Sequence, residues 1–452
     1  MNYRMPVPAA SVVLAIAFAF TSSTSFIVAQ SPTREKPKLK DFGSSLKRLR
    51  WDSKTNATVE TKGQEDKAKV TGGEDVVRVE TSLVVSDVLV LDQRGQPVPG
   101  LTQNDFVVTE DGKPQKVGTF SLGDDAKVPR SIVLIMDYSC TQLPFLEASV
   151  EAAKTLVDKL GSLDRMAIVT DDVELLAGFT SDKKKLKNKL DEMKRRTVFD
   201  PGIVPDAFGR RVPFGRGFQY SALMAVLKEA FDDEDERPIV IFQTDGEEAA
   251  ILRNPIVTPS IPTGLPPDWT AEGQANLAHF RAYLSRNPRE FSLTDVYRAA
   301  EKSRATIYTV VPGFRLIGLS PDEQTAQTKA YHEREVSYLT WPAIRKRGED
   351  RLKRMPVEVL RDEAEMRVKL QSALAILSTI TGGWIEFFDQ PSQAAEIYSR
   401  IFSDINRRYI VGYYPTNKEH DGKRRKVNVG VRGHPEYIVM GRKSYFAPEP
   451  EQ

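Results

Sequence analysis

Residues 131–141 of the chain read SIVLIMDYSCT, and the fold follows from them. The run 131–136 does not alternate between apolar and polar, so it describes a strand covered on both faces, as in a parallel sheet dressed with helices. It stops at Asp137, and Ser139 and Thr141 follow two and four residues later. Outward from this stretch, helix and strand patterns alternate. Residues 146–160 carry apolar groups at helical spacing, 166–170 return to strand, 183–195 and 222–231 read as helices, and 238–242 is another buried strand. Residues 295–300, 306–311, 372–380, 384–388 and 393–405 continue the series as helix, strand, helix, strand and helix, with Gly382-Gly383 ending the helix 372–380. This rhythm predicts an α/β domain over 130–406, a doubly wound and mostly parallel sheet. Stretches rich in Gly, Pro or charge near 197–219, 254–290 and 318–363 read as surface insertions.

The flanks differ in kind. From about residue 76 the period is two: Val77, Val79, Leu83 and Val85 alternate with polar residues, and Gly-containing turns at 92–95 and 110–112 separate short strands. Residues 76–125 therefore read as a small antiparallel β-sandwich-like module. The tail, 407–447, reads as a β-hairpin module able to pair with it, through RYIVGYYP at 408–415 and the alternating Val427, Val429 and Val431. Residues 30–75, polar and charged, read as a flexible leader. Residues 1–29 have the layout of a signal peptide: Arg4, an apolar run at 9–20, then small residues up to Ala29. The run is shorter than the roughly 20 residues that span a bilayer. A secreted, periplasmic or cell-envelope location follows as an expectation, with no stable membrane span after cleavage.

Composition excludes much chemistry. With 64 Lys+Arg against 62 Asp+Glu the formal net charge is +2, which offers no global field for nucleic acid. One cysteine and four scattered histidines leave no disulfide framework and no thiolate or imidazole metal centre.

The residues that remain sit at predicted carboxyl ends of strands, where open parallel sheets place ligands. Asp137, Ser139 and Thr141 form one loop. Thr244-Asp245-Gly246 after the strand 238–242 forms a second, and Ser221 opens a helix between them. Two carboxylates and three hydroxyls, with no nitrogen or sulfur, suit a hard cation: Mg²⁺, or else Mn²⁺ or Ca²⁺. Two aspartates roughly neutralise a divalent ion and the hydroxyls add no charge. The cation then stays electrophilic towards a carboxylate offered by a protein partner.

These loops resemble the metal-ion-dependent adhesion site of von Willebrand factor A domains, whose first loop is Asp-x-Ser-x-Ser/Thr. In that family a threonine usually supplies the middle loop and an aspartate the third. Ser221 takes the middle position here. The chain over roughly 77–447 is also similar to the acidobacterial-type von Willebrand factor A-related proteins, through VPGLTQNDFVVTEDGKPQKVGTF, RRYIVGYYPTN and DGKRRKVNVGV. The resemblance implies an exported, non-enzymatic binding or adhesion protein with metal ligands Asp137, Ser139, Thr141, Ser221 and Asp245. A structural envelope protein with a vestigial site is the alternative. A haloacid-dehalogenase-like phosphatase is another, but its second loop carboxylate is replaced by Ser139.

Plainer expectations attach to other residues. Cys140 reads as a small filler, Glu247 and Glu248 as a solvated acidic turn, and Tyr409, Tyr413 and Tyr414 as strand packing. Lys423 to Lys426 and the charged stretch 345–354 read as solvated surface, and the last helix, 393–405, as a candidate mobile element.

Overall fold

The computed structural model describes residues 49–52, 57–60, 83–123, 129–138, 142–171, 173–195, 202–205, 211–214, 219–231, 237–252, 291–337 and 342–449. Its central sheet has six strands in the spatial order Ile385–Phe388, Thr306–Pro312, Arg237–Gln243, Arg130–Met136, Arg165–Thr170 and Leu175–Thr180. Numbered along the chain and read from the Leu175–Thr180 edge this is 3-2-1-4-5-6, the order of a doubly wound sheet with its switch point between the first and fourth strands. Five strands run parallel and the edge strand Leu175–Thr180 is antiparallel to its neighbour. That edge strand is absent from the sequence expectation. Its turn is short, with Val173 at φ 67°.

Every side chain of Ile132 to Met136 is buried, because the pleat sends alternate residues to opposite helical layers. Ile132, Leu134 and Met136 pack under Leu143–Asp158, Lys183–Arg195 and Ala394–Arg407. Val133 and Ile135 pack under Gln219–Glu229, Leu293–Lys302 and Val357–Ile380. The last of these helices begins well before the expected residue 372, inside the stretch read as an insertion. The rest of that insertion is also helical, Pro321–Ser337 and Pro342–Lys353. The insertion near 197–219 holds the hairpin Gly202–Pro205 with Arg211–Phe214, and the leader holds another, Leu49–Asp52 with Ala57–Glu60, against the edge strand. The leader therefore contains structure that composition did not suggest. The signal segment, residues 77–82 of the first alternating strand, and the Pro-rich 254–290 lie outside the described residues.

The flanking segments build two four-stranded antiparallel sheets together. One has the order Ile438–Met440, Val84–Leu91, Tyr409–Tyr413, Val117–Leu122, and the other Ser444–Phe446, Arg424–Val431, Phe106–Glu110, Lys113–Gln115. N- and C-terminal strands are neighbours in both sheets, so the tail completes the β module. Tyr409 and Tyr413 are buried in its core, their hydroxyls donating to Val98 O at 2.6 Å and Glu110 Oε2 at 2.9 Å, while Tyr414 is exposed.

The module meets the amino ends of the sheet strands through ion pairs. Arg237 reaches Asp87 at 3.1 Å, and Arg408, which joins the last helix to the β module, reaches Asp404 at 3.1 Å. Trp384 Nε1 also donates to Asp404, at 2.7 Å. The last helix is thus tied at its carboxyl end to both the sheet and the module. In the basic run Lys423, Arg424 and Lys426 are exposed as expected, Arg424 also pairing with Glu301, while Arg425 departs from expectation and is buried against Asp421.

Candidate metal centre

The pairing of two strands constructs the site. Arg130–Met136 and Arg237–Gln243 run parallel in matched register, Met136 opposite Gln243. The next residues, Asp137 and Thr244, therefore emerge side by side at the carboxyl edge, and Asp137 N donates to Gln243 O at 3.0 Å. Asp137 is fully buried. Its Oδ2 accepts from Thr244 Oγ1 at 3.2 Å and from Gln219 Nε2 at 2.8 Å. The same Gln219 nitrogen lies 3.4 Å from Asp245 Oδ1. One amide nitrogen therefore sits within hydrogen-bond reach of both carboxylates. The other Asp245 oxygen, Oδ2, accepts from Gln142 Nε2 at 2.9 Å.

The loop that presents Asp245 is shaped by Gly246, whose φ of 71° lies in the left-handed region. A Cβ there would stand 2.7 Å from Leu374 Cδ1, so the long helix packs directly on the missing side chain. Thr244 Oγ1 accepts from Gly246 N at 2.9 Å and Asp245 Oδ1 from Glu247 N at 2.9 Å, two local bonds that tighten the turn.

Of the five residues expected to hold a cation, Asp137 and Asp245 converge. Ser139 and Thr141 lie outside the described residues, as does Cys140. Ser221 does not share the face that points at the aspartates. It lies two residues beyond Gln219 in the helix Gln219–Glu229, about 200° around the axis. The side chain directed at the carboxylates is that of Gln219, at 2% exposure. The helix register decided this, and Gln219-Tyr220-Ser221 gave no sign of it because a hydroxyl was the group being sought.

Glu247 and Glu248 also depart from expectation. Glu248 is buried and accepts from Tyr220 N at 3.0 Å, fastening the start of that helix to the Asp245 loop. Glu247 pairs with Arg367, which also bonds Glu363 at 3.1 Å and lies over the rings of Tyr331 and Phe314. Burial opposes the charge of this guanidinium, but the two carboxylates outweigh it and hold Arg367 firmly protonated. A small cleft opens beside Asp245 between Gln142, Phe145, Phe314, Tyr331 and Arg367. Its far wall comes from helices in the stretch that sequence treated as an insertion.

The donor set suits a hard cation. The groups gathered at the edge are carboxylate, hydroxyl and amide. The Oε1 atoms of Gln142 and Gln219 are buried without a hydrogen-bond partner. Buried carbonyl oxygens in that state are uncommon in a settled core and are the kind of ligand a hard cation takes. Among the described residues no cluster of three or more His, Cys, Asp or Glu side chains is arranged to hold a metal, so the aspartate pair depends on neutral oxygens for any further ligands.

No family model and no curated protein matches the chain. Among solved structures it is similar to the conserved hypothetical protein BatB from Bacteroides thetaiotaomicron, at 14% identity and a TM-score of 0.29, over 61% of this chain and 98% of that one. It is similar to the vWF domain of the type V pili tip protein Mfa5 from Porphyromonas gingivalis, at 13% identity and 0.29, over 62% and 96%. It is also similar to the manganese-loaded TRAP protein of Plasmodium vivax, at 10% identity and 0.27, over 77% and 100%. Likenesses this distant give no residue correspondence, and the description of the site stands on the chain's own geometry. By its strand order and its antiparallel edge strand the α/β domain is a doubly wound, mostly parallel sheet flanked by helices, with an aspartate-bearing loop after each of two neighbouring strands.

Proposed function

We propose that the chain is an exported, non-enzymatic binding protein whose Asp137–Asp245 site, loaded with a divalent cation, holds an acidic group of a protein partner. One observation carries this reading: two carboxylates from adjacent parallel strands meet on one shared donor at the switch point of the sheet. Asp137 and Asp245 would hold the cation, with Ser139 and Thr141 completing the first loop and Gln142 and Gln219 at its margin. The cation would supply a positive centre for the partner's carboxylate. The chain's own residues do the rest: the strands fix the spacing of the aspartates, Gly246 sets the turn, and Glu248 anchors the middle helix. Mg²⁺ is the cation this donor set favours, with Mn²⁺ and Ca²⁺ as alternatives.

The support for export is the layout of residues 1–29. No helix among the described residues is long and apolar enough to cross a membrane. The β module, built from both ends of the chain, would present the site to its partner or to the cell envelope.

A pull-down from envelope extract, run in magnesium and in chelator with wild type and Asp137→Ala, tests the proposal. Partner capture that needs magnesium and disappears with Asp137→Ala is the expected result. Equal capture in all four conditions overturns the adhesive role and favours assembly through the β module.

A further inference from the structure

The position of Gln219 has a consequence for how a cation reaches the site, and it rests on the metal-dependent reading above. Its Nε2 is 2.8 Å from Asp137 Oδ2 and 3.4 Å from Asp245 Oδ1. A cation bridging the two carboxylates needs that same space. Its own Oε1 is buried without a partner, so the amide is anchored through its N–H end alone. An ordinary core glutamine satisfies both ends of its amide. Gln219 gives up one end to bring a donor between two negative groups. Gln142 repeats the arrangement on the outer side of Asp245: it is 1% exposed, its Nε2 donates at 2.9 Å, and its Oε1 is unpartnered.

We infer that Gln219 is a built-in placeholder, its side-chain amide occupying the seat between Asp137 and Asp245, and that a divalent cation enters by displacing it. An amide N–H carries only partial positive charge. It relieves the repulsion between the aspartates less than a divalent ion does, but it keeps the loops together in the ion's absence. The site is therefore preformed without metal and binds metal more weakly than an open seat, because each binding event first breaks the charge-assisted bonds of Gln219. Ser221, facing away on the same helix, does not compete for the seat.

The test uses the full mature chain, wild type, Gln219→Ala and Gln219→Glu, with Mn²⁺ and Mg²⁺ titrated calorimetrically and melting followed in chelator. Gln219→Ala is expected to bind Mn²⁺ about tenfold tighter, equivalent to about 1.4 kcal/mol. In chelator it is expected to melt below wild type, since the aspartates lose their common donor. Gln219→Glu, with a third carboxylate in the seat, is expected to melt lowest in chelator and to be rescued by Mn²⁺. Binding by Gln219→Ala that is equal to or weaker than wild type overturns the inference. If neither wild type nor Gln219→Ala takes up cation in the millimolar range, the metal-dependent function fails on its own account. The chelator melts then decide about Gln219: a lowered transition in Gln219→Ala keeps it as the donor that holds the aspartates together, and an unchanged one removes that role.

Discussion

The two central strands each begin at a largely buried arginine and lead into a loop that bears an aspartate, and the two ends treat charge in opposite ways. At the amino edge, Arg130 and Arg237 meet carboxylates directly: Arg130 Nε reaches Asp164 Oδ1 at 2.6 Å and Arg237 reaches Asp87 at 3.1 Å. At the carboxyl edge, the described contacts to Asp137 and Asp245 come from neutral donors: two glutamine amides, a threonine hydroxyl and a backbone N–H. Full charges paired within the chain fix this edge, Arg237–Asp87 joining the β module to the sheet and Arg130–Asp164 tying one sheet strand to the turn before the next. Carboxylates met by partial charges keep a capacity for a stronger cation. The same 20 Å of strand thus carries a joint at one end and a receptor at the other.

That contrast can be broken at either end. The largest effect is expected at the joint. Arg237→Ala leaves the largely buried Asp87 without its partner, loses the bonds to Gly123 O and Ile405 O, and should cost about 3–5 kcal/mol in denaturant unfolding. A loss under about 1 kcal/mol would mean that the joint is solvated and the contrast false.

At the receptor the response should be to cation, not to mutation alone. Saturating Mn²⁺, about a hundredfold over its dissociation constant, should stabilise wild type by about 2.7 kcal/mol and leave Asp137→Ala unmoved. In chelator, Asp137→Asn should cost about 1 kcal/mol or less, far below the arginine variant. Equal cation stabilisation of wild type and Asp137→Ala would place the ion elsewhere.

The turn between these ends gives the next effect. Gly246→Ala forces an alanine into φ 71° and against Leu374, and should cost about 2 kcal/mol while also loosening Asp245. Melting and Mn²⁺ titration of the same variant separate the two losses.

The smallest effect concerns the Glu363 cluster behind the cleft. Burial raises the pKa of Glu363, but the hydrogen bond to His332 at 2.9 Å and the charge of Arg367 lower it further, to a net value below the ordinary 4.5. Because the folded value is depressed, the stabilisation is present above the unfolded pKa and is lost as pH falls through the folded one. Glu363→Gln should therefore cost up to about 1 kcal/mol at neutral pH, and this difference should shrink as pH falls from the unfolded value through the folded one. A difference that does not shrink on acidification would assign its role to packing.

Local pattern carried the α/β architecture far. An unbroken apolar run such as Ile132 to Met136 has few solutions other than a strand buried on both faces, and the shift to period two at the flanks has few besides an antiparallel sheet. The sequence also located Asp137 and Asp245, because a carboxylate directly after a buried strand lies at the edge where parallel sheets open. It stopped at the strand Leu175–Thr180, which folds back on Arg165–Thr170 through a tight turn, and at the early start of the helix Val357–Ile380, whose first turns mix Leu360 and Ala364 with many charges. Glu247 and Glu248 were misread as solvated because their partners, Arg367 and Tyr220, lie far along the chain.

Sequence alone therefore determined the five parallel strands of the central sheet, which of their ends bear carboxylates, and that nitrogen and sulfur ligands are missing. Tertiary structure decided what stands between the carboxylates. A one-residue register pairs Met136 with Gln243, and a helix that advances 100° per residue turns Gln219 inward and Ser221 away. Both are angular facts set by packing between distant segments, and a linear string of residues holds no record of them.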